Sequence, residues 1–117
     1  MRYIEKDRRP WGTYYVIEDK HNHKIKRIEV EVGQRLSYQY HNKRSEVWTI
    51  IEGVALITLD GIEKKFHKGE TIIIPLGIKH RVKNIGKVKL IFIEVQTGEY
   101  FGEDDIVRIE DDYKRIK

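Results

Sequence analysis

The chain has 117 residues, enough for a single domain over residues 1–117, and a lone alanine, Ala55, amid abundant Ile and Val argues against a helical bundle. There is no cysteine for a disulfide or thiolate site, no apolar run near the roughly 18 residues that span a bilayer, and no signal-peptide core in MRYIEKDRRP, so a cytoplasmic protein is expected. The net charge of +4 (23 Lys and Arg against 19 Asp and Glu) cancels along the chain, which argues against a nucleic-acid binder.

In chain order, Pro10-Trp11-Gly12 punctuates the start of a β-rich run, Thr13 to Glu18. A polar turn, DKHNHK, leads to KIKRIEVEV, where Ile28, Val30 and Val32 alternate with charges at period 2 until Gly33 ends the strand. Leu36 to Tyr40 and Glu46 to Ile51 are the next predicted strands, joined by HNKRS. In VALITLDGIEKKF, Asp60-Gly61 predicts a hairpin with a type I′ turn. TIIIP follows, an apolar strand stopped by Pro75 and Gly77, and His80 to Val82 and Val88 to Val95 complete the set. Turn signals every 8–12 residues or so fit a β-sandwich or small barrel. Only the charged tail after Gly102 is left as a candidate helix.

Polar residues of one chemical kind punctuate these strands. Gln39 and His41, two apart, leave the same strand face, Glu46 opens the next strand, and His80 opens another just past the Pro75-Leu76-Gly77 turn. One amide oxygen, two imidazoles and one carboxylate form an N/O ligand set suited to Zn, Mn, Fe, Co or Ni with coordination positions left open. The spacing is ordered. Gly33, Gln39, His41, Glu46 and Gly53 are separated by five, one, four and six residues. Gly69, Pro75, Gly77, His80 and Asn84 are separated by five, one, two and three.

These two patterns resemble the signature motifs of the cupin superfamily, an all-β jelly-roll barrel (a double-stranded β-helix) with a metal at its centre. Gln39 stands where most cupins have His. RPWGTYYVIE, KIKRIEVEVGQRLSYQYHNKRSEVW, IIIPLGIKHRVKN and LIFIEVQTGEYFGEDDIVRIEDDY resemble the type II mannose-6-phosphate isomerase cupin, in which Gln before the first His is usual. That domain often follows a GDP-mannose-forming nucleotidyltransferase. No Gly-rich phosphate loop precedes the motifs here, so guanylyl transfer by this chain is not expected. The family's His-His-Arg-Ala-Glu-His-Trp run reads Asn42-Lys43-Arg44-Ser45-Glu46-Val47-Trp48, matching at Arg44, Glu46 and Trp48.

The resemblance implies a metal-dependent isomerase interconverting mannose 6-phosphate and fructose 6-phosphate through an enediol. Gln39, His41, Glu46 and His80 would hold the divalent ion, Glu46 or Glu94 would serve as base, and Arg44, helped by Lys26, would bind the phosphate of the sugar phosphate. Arg44 is expected at the barrel mouth, reaching outward, and Arg27 is a weaker candidate of the same kind. The alternative is a non-catalytic metal- or sugar-binding cupin, a partner in GDP-mannose metabolism. His21, His23 and His67 are read as surface residues, and Trp11 and Trp48 as core. Glu103-Asp104-Asp105 is read as structural, across a contact in a homodimer that exchanges its aromatic N-terminal arm. The Lys- and Glu-rich, Met-poor composition suits a thermophile.

Overall fold

The computed structural model describes residues 1–115, and among these no residue is helical. Six strands form one sheet: β1 (Glu5–Arg9), β2 (Gly12–Asp19), β3 (His23–Val30), β5 (Arg44–Glu52), β8 (Thr71–Ile74) and β10 (Leu90–Gly98), in the order β1-β2-β3-β10-β5-β8. Five form the other: β4 (Tyr38–Tyr40), β6 (Ala55–Leu59), β7 (Ile62–Phe66), β9 (His80–Asn84) and β11 (Val107–Glu110), in the order β11-β4-β9-β6-β7. Every pairing is antiparallel. The all-β jelly roll expected from the sequence is the fold observed.

Period-2 alternation builds the interior. Tyr14, Ile28, Phe92 and Ile50 form a buried row across four strands, and Ala55, Ile57 and Val82 cover them from the second sheet. The row then changes character toward one end. Lys26, Glu94 and Trp48 pair across β3, β10 and β5, and the next row holds Lys24, Gln96 and Glu46, all buried. One end of the interior is therefore apolar and the other polar.

The Asp60-Gly61 turn forms as expected, with φ of 50° and 85°, both in the left-handed region that a type I′ turn requires. Several boundaries differ from the sequence reading. Strand β3 ends at Val30, and Val32 lies exposed beyond it. The tail expected to be helical carries β11, which pairs with β4. The N-terminal arm forms β1 and pairs with β2 of the same chain. Arg44 and Ser45 belong to β5 rather than to a loop, opposite Gly98 and Thr97. Backbones come so close there that a Cβ on Gly98 would lie 2.2 Å from the Lys43 carbonyl oxygen.

Candidate functional site

The two sequence motifs meet at the polar end. Strand pairing sets Gln39 opposite His80, and the amide of Gly77 in the turn before His80 donates to the His41 carbonyl at 2.9 Å. Ligand atoms of His41, Glu46 and His80 all lie within 4.8 Å of one another, and the three residues are 3%, 2% and 1% exposed. His41 Nε2 stands 3.3 Å from Glu46 Oε2.

Both imidazoles are fixed through their other nitrogen. His41 Nδ1 donates to the Asp105 carbonyl at 2.6 Å, and His80 Nδ1 donates to the Ile78 carbonyl at 2.9 Å. This leaves Nε2 of each ring unprotonated and facing the cluster. Burial, reinforced by the Arg44 charge, pushes the His41 pKa down to about 4, and burial lowers that of His80. Neutral imidazole is the form that binds a metal. The Nε2 of His80 is buried without a hydrogen-bond partner among the described residues. The residues thus suit a divalent ion: neutral nitrogen donors, a carboxylate, and an orphaned donor atom that an ion would satisfy.

Gln39, the expected fourth ligand, is buried beside His80, and its Oε1 accepts from Ser37 Oγ at 2.8 Å. Glu46 has both oxygens engaged. Arg44 Nε donates to Oε2 at 2.9 Å, and Trp48 Nε1 donates to Oε1 at 2.9 Å. Trp48, read as core, is buried as expected and also holds this carboxylate. Arg44 does not reach outward: it is 6% exposed, its Nη2 lies 3.4 Å from His41 Nε2, and its Nη1 is 3.6 Å from Glu103. The strand register at Gly98 turns it inward.

Glu94, the other carboxylate of the expected site, is buried and accepts from Gln96 Nε2 at 2.6 Å. Burial and the nearby Glu46 charge push its pKa up to about 7. Lys26 is also buried, over the Tyr14 ring at 4.2 Å and donating to Glu103 at 2.9 Å. Arg27 lies on the opposite strand face and donates to Glu29. His21 and His67 are exposed as expected. His23, read as a surface residue, is half-buried and pairs with Glu18. The acidic cluster acts within the chain: Asp105 accepts from the Asn42 and Lys43 amides at 3.0 and 2.9 Å. Lys24 and Gln96 were missed, although period 2 from Ile28 and Val30 places Lys26 and Lys24 on the inner face.

Comparison with known proteins narrows the reading. The family model described as "Mannose-6-phosphate isomerase C-terminal" matches residues 2–111. Mannose-1-phosphate guanylyltransferase ManC of Salmonella typhimurium is 44% identical over 108 residues, 92% of this chain and 22% of that protein. Xanthan biosynthesis protein XanB of Xanthomonas campestris is 46% identical over 107 residues, 92% of this chain and 23% of that protein. The chain spans about a fifth of the length of these curated relatives. A solved RmlC-like cupin from Shewanella frigidimarina shares the fold, with a TM-score of 0.68 at 20% identity over 79% of this chain and 78% of that one.

These names correct one expectation. The relatives are named for guanylyl transfer to mannose 1-phosphate or for polysaccharide biosynthesis, not as isomerases, so the mannose-6-phosphate isomerase assigned from the sequence does not stand. The setting in GDP-mannose metabolism, held as the alternative, fits them better. The match over residues 2–111, the identity across 92% of the chain and the jelly roll together place this chain in the mannose-6-phosphate isomerase C-terminal family of cupin domains.

Proposed function

We propose that the chain is a divalent-metal and sugar-phosphate binding domain of GDP-mannose metabolism, working beside guanylyl transfer on mannose 1-phosphate. The observation that carries this reading is the unpartnered Nε2 of His80, buried within 4.8 Å of donors on His41 and Glu46. His41, Glu46 and His80 would hold the ion, with Gln39 as the fourth donor. The ion would supply a Lewis acid for sugar oxygens.

The chain's own groups do the rest. Arg44 and Trp48 hold the Glu46 carboxylate in one orientation. Glu94, buried between Lys26 and Trp48 in the strand row, would meet a sugar hydroxyl, and Arg44 Nη1 and Lys26 give this polar end positive charge. Calorimetric titration with mannose 1-phosphate tests the proposal. Mn- or Zn-loaded protein should bind it saturably, and chelated protein at least about tenfold more weakly. Equal binding with and without metal, or none in either state, overturns the reading.

We also propose that the chain pairs with a second copy. Ile73, Val47, Val95 and Ile25 form an uncharged row across four strands on the outer face of the six-stranded sheet, ending against Glu18 of β2, with Ile73 68% exposed.

A further inference from the structure

A cavity of about 90 Å³ opens at the polar end, lined by five cationic side chains and three carboxylates. It has room for a phosphoryl group and opens to solvent, where a sugar ring can extend. Each lining carboxylate already has a partner: Glu46 has Arg44 and Trp48, Glu94 has the Gln96 amide, and Glu103 has Lys26. Most of the cations are engaged too. Arg9 donates to Asp7 and Tyr14, and Arg115 is bidentate on Asp111.

Arg108 differs from them. It stands on β11 directly opposite Gln39, which stands opposite His80, so the three form one row across neighbouring strands on the inner face. Among the described residues its buried Nε has no hydrogen-bond partner and no ion pair includes it. Burial and the like charges of Arg115 and Arg9, only partly offset by Asp111 and Glu103, hold its pKa below the ordinary value for arginine. A guanidinium stays protonated at neutral pH, so this is a part-buried positive charge outside any direct ion pair. Such a group is destabilising in the free protein, and a planar fork of donors matches a phosphoryl group in geometry and charge.

We propose that Arg108, flanked by Arg115, seats the phosphoryl group of a sugar monophosphate whose hydroxyl end lies toward His80. This rests on the sugar-phosphate reading above and moves the phosphate away from Arg44, whose Nε is spent on Glu46. Two strand spacings, roughly 10 Å, separate the backbones of β11 and β9. A hexose with one phosphoryl group bridges that gap once the side chains reach in.

Calorimetry at fixed ionic strength with mannose 1-phosphate and with inorganic phosphate tests it on wild type, Arg108→Gln, Arg108→Lys and His80→Ala. Arg108→Gln should weaken both ligands by roughly 10- to 100-fold, and Arg108→Lys should recover part of the loss. Ligand-free Arg108→Gln should melt at or above the wild-type temperature, since a part-buried, desolvated charge is gone. Unchanged affinity in Arg108→Gln, absent phosphate binding in wild type, or a ligand-free variant that melts well below wild type each overturn the assignment. Inorganic phosphate binding as tightly as mannose 1-phosphate would make this a free-phosphate site and overturn the sugar assignment. Metal content of the same samples separates the two proposals. His80→Ala should lose metal yet keep inorganic phosphate, whereas wild-type metal content in His80→Ala defeats the metal reading and leaves the Arg108 result to stand by itself.

Discussion

Glu46 takes a guanidinium on one oxygen and an indole N–H on the other, so its carboxylate is oriented before any ligand arrives. Its neighbour Glu94 and the ring of His41 titrate in opposite senses. In metal-free protein His41 sits at about 4 against 6.5 unfolded, so its stabilisation is complete above 6.5 and is lost as the pH falls toward 4. Glu94 sits at about 7 against 4.5, so its stabilisation is complete below 4.5 and is lost as the pH rises toward 7. Between 4.5 and 6.5 the two largely cancel. Glu94→Gln removes one of them, so with chelator present its stability should rise with pH by roughly 2 kcal/mol more than wild type across that window. Melting curves at several pH values check this, and parallel profiles contradict it. Gln39, His41, Glu46 and His80 were legible in the sequence because strand alternation and the Pro75-Gly77 turn fix their faces. Arg44 was not. HNKRS has the composition of a loop, and only pairing with β10 across Gly98 draws Arg44 into a strand and inward.

At the scale of elements, the segment before β11 ties the site together. Asp105 accepts two backbone amides just ahead of β5 while its carbonyl fixes His41. Asp105→Ala should cost roughly 2–3 kcal/mol, since two charge-assisted, part-buried bonds to backbone amides go. Denaturant titration measures this, and a midpoint within error of wild type would show that the capping contributes little. Gly98→Ala should be harsher, because the new Cβ would meet the Lys43 carbonyl at 2.2 Å and Arg44 Cα at 2.8 Å. A loss of at least about 2 kcal/mol is expected on the same assay, and a neutral result contradicts the close approach. The Asp60-Gly61 hairpin was legible from two residues. Strands β1 and β11 were not, because edge strands need no apolar face: EKDRR is mostly exposed, and VRIE is exposed or half-buried throughout.

Across the whole molecule, local patterns gave strands but not their order, since pairings such as β3 with β10 join residues some seventy positions apart in sequence. The jelly roll came from the resemblance of the two motifs to those of cupins, whereas turn spacing alone left a sandwich or small barrel open. The activity could not be read this way, because one barrel serves many chemistries and the relatives are named for a different reaction. The uncharged outer row predicts a dimer. Light scattering at micromolar concentration should give about twice 14.0 kDa, and Ile73→Asp should return the monomer mass. A monomeric wild type contradicts the pairing. The most direct test of the account as a whole is elemental analysis of wild type, His80→Ala and His21→Ala after loading with a divalent metal and removing the excess. The buried cluster predicts about one ion per chain in wild type and His21→Ala, and at least a tenfold loss in His80→Ala. Equal metal in all three would show that His41, Glu46 and His80 do not form the site.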